Sequence, residues 1–458
     1  MRLIEQAYSI ARIPPKLFDS ILKCLSPVDD RQTLVSLCQV SKSMLSSALP
    51  TLYSDISDME LTEIALAPGL CNSLLRSTTG KMVRKAAVIV KLQTAAILEL
   101  EDEEDEDRCD QIGLRQVQTQ WSQSLSCLRL FTGLEDLDIA TEHDQFIGEM
   151  DLIDDTISRL PSIKHLLPMP FLNTLRHLTL RSLGYTDVIT PDSRPEYTAY
   201  GSCWQLILAS RNLHTLTLVN VDPASVFDPL LEYLSLQPNQ EIHLCRLRYV
   251  EHIPRLTELD ELDGIPLWMH DCVEMLPKLP FIKRFEYEGT GLFIGSTGFA
   301  QETKATKITH FANIVTSNAE LEWLDDEGDW LYDLSLYLPA VQHLQTCVSL
   351  DTVLPNKDTF SNLTHLTLLY TDDKTPTASY IESFLSAELS PTLQYVEFSV
   401  RGLTQEDVQE WFSRLSSSVK SWSTANEVET VVLECDGRRM VWISRDGAFE
   451  LKGIYVEA

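Results

Sequence analysis

A pattern that places apolar residues at positions one, four and six of a short segment recurs along most of this chain; we call it the apolar figure. Side chains alternate between the two faces of a β-strand, so positions four and six share one face and positions three, five and seven share the other. The clear copies are Leu134/Leu137/Ile139, Leu175/Leu178/Leu180, Leu213/Leu216/Leu218, Leu363/Leu366/Leu368 and Leu393/Val396/Phe398, and weaker copies are Ile282/Phe285/Tyr287 and Leu321/Leu324. The figure therefore predicts a series of short strands that each bury one face.

The L-x-x-L-x-L core of these segments resembles the leucine-rich repeat. Clear neighbouring copies start 41, 38 and 30 residues apart, which exceeds the usual repeat length of about 20 to 29 residues. Each unit should therefore carry a helix and extra loop, and the segments 311–315 and 380–385 have the spacing of such helices. The predicted fold class is α/β, with an irregular leucine-rich repeat solenoid over residues 83–426. Isolated strands of another α/β fold are the alternative.

Both ends of the predicted array carry further signals. Residues 86–92 have the composition of a buried strand and form a candidate first repeat. The acidic tract at 99–107 predicts a solvated loop within the array, with an acidic docking element as the alternative. Two strand–Asp-Gly–strand signals, with turns at 436–437 and 446–447, predict a β-meander over 427–458 that caps the array.

The first fifty residues predict three short helices. The first begins near Pro14 and carries apolar residues on one face, the second follows Asp29 and Asp30 as candidate N-caps, and the third follows Ser41 and ends at Pro50. So small a unit is expected not to bury its apolar faces internally. The helices should therefore dock on a partner or cap the core that follows them.

The run Ile13-Pro-Pro-Lys-Leu-Phe-Asp-Ser-Ile-Leu22, followed by 25–34, 37–43 and 49–53, resembles an F-box of the fungal type. Lys16 and Met44 stand where the family commonly has an acidic residue and a tryptophan. The resemblance covers 12–53, leaves 54–82 as a helical linker, and implies a trihelical module that docks on the Skp-type adaptor of SCF ubiquitin ligases and through it on a cullin. The residues expected at or beside that interface are Ile13, Pro14, Leu17, Ile21, Leu22, Leu25, Leu34, Leu37, Met44 and Leu45.

Composition limits the other classes of function. The formal net charge of −30 disfavours nucleic acid as a partner. The 10 cysteines are scattered and form no zinc pattern, and no stretch is apolar enough for a membrane span, so a reduced, cytoplasmic or nuclear protein is expected. No cofactor, metal or catalytic motif is predicted. An enzyme that uses the acid pair Asp136 and Asp138 is a weaker alternative.

The outward positions of the predicted strands are the candidate target-binding residues, because solenoids bind partners on the open face of their sheet. They are Asp136, Asp138, His177, Thr179, Arg181, Thr215, Thr217, Trp323, His365, Thr367, Tyr395 and Glu397. The expected function is that of a substrate receptor, in which the F-box holds a ubiquitin ligase and the repeats hold a target protein. A scaffold or adaptor that acts outside a ligase is the alternative.

Overall fold

The computed structural model describes residues 15–57, 61, 79–92, 119–143, 163–183, 203–219, 221, 223–250, 275–289, 304–315, 330–348, 359–371, 376–386, 390–401, 411, 413–414, 428–435, 438–445 and 448–456. The chain divides into two compact units, Met1–Leu244 and Cys245–Ala458. Each unit combines helices with mostly parallel strands, which confirms the predicted α/β class.

The first unit opens with three helices, α1 (Pro15–Leu22), α2 (Arg31–Val40) and α3 (Lys42–Leu52). The elements that follow are a 3-10 turn (Gly80–Met82), β1 (Lys85–Leu92), α4 (119–128), β2 (Asp136–His143), 3-10 turns (Ile163–Leu166 and Pro170–Asn173), β3 (His177–Leu183), α5 (Cys203–Ala209), β4 (Thr215–Val219) and α6 (Pro223–Leu236). Strands β1 to β4 pair in parallel and in chain order. The candidate first repeat at 86–92 is confirmed as a strand.

The three N-terminal helices enclose a small apolar core of their own. Its buried members are Phe18, Leu22, Leu34, Met44, Ala48 and Leu52. This core forms because apolar residues three or four positions apart face inward on each helix. The expectation that so small a unit cannot bury its apolar faces internally is therefore wrong for these six residues, although other apolar side chains of the module remain exposed.

The ends of these helices correct two local predictions. The Ser41 hydroxyl accepts a hydrogen bond from the Met44 amide at 3.1 Å, which confirms the predicted cap of α3. Asp29 and Asp30 were expected to cap α2, but Asp30 makes no side-chain cap and its carboxylate accepts from the Ser26 amide at 2.9 Å. Pro50 does not end α3, which continues to Leu52.

The helical module is tied to the first strand by the residues that follow it. The Arg31 guanidinium donates to the Asp55 carbonyl at 3.1 Å, and the Ile56 amide donates to the Lys85 carbonyl at 3.1 Å. Asp55 forms a parallel bridge with Lys85. The described residues at the start of the predicted helical linker, 54–57, are therefore not helical but lie beside β1.

The second unit contains β5 to β13. Its elements are β5 (Arg246–Val250), a 3-10 turn (Leu276–Lys278), β6 (Arg284–Gly289), β7 (His310–Val315), α7 (Trp330–Tyr337), β8 (His343–Cys347), β9 (His365–Thr371), α8 (Ala378–Ser386), β10 (Tyr395–Arg401), β11 (Thr430–Cys435), β12 (Arg438–Arg445) and β13 (Ala448–Val456). Strands β5 to β11 are parallel in chain order, and β12 and β13 continue the sheet in antiparallel fashion. The predicted β-meander is confirmed, and β11 is also the last parallel strand.

The apolar figure explains the register of these strands. Among strands β5 to β11, position four of each pairs with position four of the next, which gives the buried row Leu247, Phe285, Phe311, Leu344, Leu366, Val396 and Val431. Burying a large apolar side chain contributes about 1.5–3 kcal/mol. A shift by one residue would turn every inward side chain outward, so the pattern holds the register.

Of the two helices predicted between the strands, the structure confirms one and contradicts the other. Residues 380–385 lie in α8, as predicted. Residues 311–315 lie in β7, so the prediction of a helix there is wrong. The weaker copy at Leu321/Leu324 and the acidic tract at 99–107 lie outside the described residues.

Candidate protein-binding surfaces

The helical module presents apolar side chains to solvent around its core. Leu17 and Ile21 are 54% and 41% exposed, and they lie one turn apart on α1, so they share a face. The other large apolar residues that the module exposes are Val35, Val40 and Leu45. Large apolar side chains grouped on a small module are typical of a protein-binding surface.

The ten expected adaptor-contact residues occupy different environments. Leu17, Ile21 and Leu45 are exposed, and Leu25 and Leu37 are half-buried against the module core. Leu22, Leu34 and Met44 are buried within that core, so their role in this structure is to support the surface rather than to form it. Ile13 and Pro14 lie outside the described residues.

The outward face of the first unit holds seven of the candidate target-binding residues. Asp136, His177 and Thr215 form one cross-strand row, and Asp138, Thr179 and Thr217 form the next. Arg181 extends over Asp138 in a bidentate pair, with Nη2 2.6 Å from Oδ2 and Nε 3.1 Å from Oδ1. Of the seven residues only Thr215 is buried, and the others are half-exposed.

The pKa values of both carboxylates on this face, Asp136 and Asp138, are raised. Burial raises the pKa of Asp138, and the charge and hydrogen bond of Arg181 offset that effect only in part. Burial also raises the pKa of Asp136, against the opposing charges of Lys85 and His177. The Asp138 carboxylate is held by its ion pair with Arg181.

The outward face of the second unit carries a row of stacked rings. His310, His343 and His365 occupy position three of consecutive strands and stack at centroid distances of 4.0 and 4.1 Å. The Tyr395 ring follows at 5.3 Å from His365. We call His310, His343 and His365 the histidine row. It arises because parallel in-register pairing places position three of these neighbouring strands side by side.

Both ends of the histidine row are closed by ion pairs. At one end, Arg246 and Arg284 each donate to Glu286 at 2.6 Å. Burial by itself would raise the pKa of Glu286. The hydrogen bonds and charges of the two arginines outweigh burial, so the pKa lies below its ordinary value. At the other end, Arg439 donates to Glu397 at 2.8 Å and to the Tyr395 hydroxyl at 3.0 Å.

A concavity of about 410 Å³ lies over the histidine row. Its lining also includes the position-five side chains Gln345 and Thr367, and the small residue Ala312. Four of the predicted target-binding residues, His365, Thr367, Tyr395 and Glu397, lie on this face. Trp323 lies outside the described residues.

The sequence prediction did not include His310, His343 or Arg246 among the residues of this face. His310 and His343 belong to copies of the apolar figure at Ile308/Phe311/Asn313 and Val341/Leu344/Thr346, whose sixth positions are polar. Arg246 lies at position three of a copy formed by Leu244, Leu247 and Tyr249. A search that required apolar residues only at positions one and four would have found all three strands.

No family model, curated protein or solved structure matches this chain. Within the described ranges, no cluster of three or more His, Cys, Asp or Glu side chains has the geometry to hold a metal ion. Nor does any described helix combine the length and apolarity needed to cross a bilayer.

Proposed function

We propose that this chain is the substrate-recognition subunit of an SCF-type ubiquitin ligase. In this proposal the N-terminal helices are an F-box that binds a Skp-type adaptor, which connects the chain to a cullin. The outward faces of the repeat-like strands bind the target protein. The chain itself performs no covalent step; it raises the effective concentration of the target near the ubiquitin that the ligase transfers.

The observation that carries the proposal is the exposed pair Leu17 and Ile21 on a module that already has its own core. These two large apolar side chains lie outside the module core and are exposed, so they are available to contact another protein. The resemblance of 12–53 to a fungal-type F-box names the partner that this surface would fit. The hydrogen bonds between Asp55 and the residues of α2 and β1 would hold the module on the first unit.

The proposed target-binding side rests on the contrast between the two sheet faces. Positions four and six are buried, whereas position three carries arginine, histidine and tyrosine side chains that reach solvent. Tyrosine and arginine are enriched among residues that dominate protein interfaces. A concavity on such a face offers a shape into which a target side chain can insert.

The test is adaptor binding by purified full-length variants. Leu17→Asp with Ile21→Asp places two charges in an apolar contact, where they are left unpaired, so co-purification with the Skp-type adaptor should be abolished. Leu236→Asp is the matched control, because Leu236 is an exposed leucine on α6. Undiminished adaptor binding by a folded Leu17→Asp/Ile21→Asp protein would overturn the proposal.

A further inference from the structure

Arg284 lines the concavity with most of its guanidinium uncommitted. Its Nε donates to Glu286 Oε1 at 2.6 Å, and its side chain is 48% exposed. Within the described ranges its two Nη groups donate no hydrogen bond. The end of a guanidinium presents a fork of N–H donors that matches the two oxygens of a carboxylate. Arg284 can therefore bind an anion and keep its bond to Glu286.

The charges at this end of the histidine row do not cancel. Arg246 and Arg284 share the single carboxylate of Glu286, one arginine on each oxygen, which leaves one positive charge in excess. At the other end, Arg439 and Glu397 balance each other. The excess charge therefore lies beside the first ring of the row.

His310 is the ring nearest this charge along the sheet, because Arg284 and His310 are register partners on β6 and β7. Its Nδ1 lies 2.9 Å from the Thr309 hydroxyl, and either atom can be the donor. Burial lowers the pKa of His310, the charge of Arg284 lowers it further, and Glu286 opposes them only in part. The rings thus experience a positive field. A protonated ring donates from both nitrogens whichever tautomer the neutral ring adopts.

We infer that the concavity binds the carboxylate of an acidic side chain on the target, with Arg284 as its principal hydrogen-bond donor and His310 as the second. This inference rests on the proposed role of the chain as a target receptor. A carboxylate carries the single negative charge that matches the excess beside the row. A lysine or arginine side chain would instead meet the free end of Arg284.

Two negative charges bear on the choice of ligand. Glu286 also lines the concavity, so a phosphate dianion would exceed the single excess charge and meet a neighbouring carboxylate. The net charge of −30 belongs to the whole chain. Physiological salt screens charges beyond about 8 Å, so the adjacent arginine determines the local preference.

Proton uptake should accompany binding. A carboxylate beside His310 favours the charged ring and raises its pKa from the lowered value in the free protein. Affinity should therefore increase as the pH falls from 7.5 to 5.5. The other charged or titratable groups on this face are Arg246, Arg284, Glu286, His343, His365, Tyr395, Glu397 and Arg439. Burial raises the pKa of Tyr395 and lowers that of His343 to about 4, which keeps both rings neutral over most of this range.

The experiment measures binding of capped heptapeptides to the full-length chain by isothermal titration calorimetry. The peptides differ only in a central glutamate, glutamine, lysine or phosphoserine, and the glutamate peptide should bind most tightly. Arg284→Gln should weaken its binding about tenfold, the worth of a charge-assisted hydrogen bond, and leave the glutamine peptide unaffected. Arg248→Gln is the matched control, because Arg248 pairs with Glu288 on the same face but does not line the concavity.

The pH dependence is tested with His310→Phe, which keeps a flat ring in the stack and removes the titrating group. The ratio of glutamate to glutamine peptide affinity should rise between pH 7.5 and pH 5.5 in the wild type and in His243→Phe, because His243 is exposed and does not line the concavity. In His310→Phe the ratio should stay constant.

The inference is overturned if the glutamate peptide binds no more tightly than the glutamine or lysine peptide, or if Arg284→Gln binds it normally. Tighter binding of the phosphoserine peptide would assign the site to phosphate and overturn the choice of a carboxylate. A pH response that persists in His310→Phe would remove His310 as a donor. Adaptor co-purification by Arg284→Gln is measured in parallel, so failure of the peptide test is distinguishable from failure of the proposed function.

Discussion

Asn313 is a buried polar residue whose replacement should stabilise the second unit. Its side chain is 0% exposed, and neither Oδ1 nor Nδ2 has a hydrogen-bond partner. It lies at position six, where the later strands β9 and β10 place Leu368 and Phe398. A buried amide without partners costs about 1–3 kcal/mol.

Leucine has the same branching as asparagine and no polar atoms, so Asn313→Leu should raise the free energy of unfolding by about 1–3 kcal/mol. For a unit of this size that corresponds to a rise in Tm of about 2–12 °C. Differential scanning calorimetry measures the shift, and amide exchange of residues 304–315 assigns it to β7. Asn212→Leu is the control: Asn212 is exposed and donates to the Asn173 carbonyl at 2.5 Å, so its Tm should fall slightly. A Tm for Asn313→Leu below that of the wild type would refute the reasoning.

Three further outcomes are expected. Ser41→Ala should lower the stability of the helical module by about 1 kcal/mol in urea unfolding, and Ser41→Asp should restore most of it, because only a side-chain acceptor caps α3. The pKa of His343 is lowered from 6.5 to about 4, chiefly by burial; the unfolded chain therefore binds the proton first, and stability falls as the pH drops from 6.5 towards 4. His343→Phe should lose less stability than the wild type between pH 7.5 and pH 5, and equal losses would contradict this account. Deletion of residues 101–107 should leave Tm nearly unchanged, because the acidic tract can bury almost nothing; a fall of many degrees would show that it packs.

The strands with strong apolar patterns could be predicted from the sequence. Leu363, Leu366 and Leu368 predict both the strand β9 and its buried face, because a period of two determines which side chains point inward. The β7 segment could not be identified in this way, since Asn313 interrupts the pattern and 311–315 has helical spacing as well. Tertiary pairing with β6 and β8 overrides that local preference.

The sequence predicted which residues of a single strand or helix could form the candidate surfaces, but not how residues of different segments come together. The outward position of His365 follows from its own strand, but its stacking on His343 depends on register between segments far apart in the chain. On the helical module, periodicity identified the apolar residues of α1 but not which of them face the core. Phe18 and Leu22 are buried and Leu17 and Ile21 are exposed, a division set by contacts with α2 and α3.

The most direct test of the proposed function is whether a cullin accompanies the full-length chain when it is affinity-purified from cells that contain a Skp-type adaptor. The cullin should co-purify with the wild type and with Leu236→Asp, and it should be lost from Leu17→Asp/Ile21→Asp. Adaptor without cullin in the wild-type complex would indicate a scaffold that acts outside a ligase. Cullin retained by the folded Leu17→Asp/Ile21→Asp protein would contradict docking through the exposed face of α1.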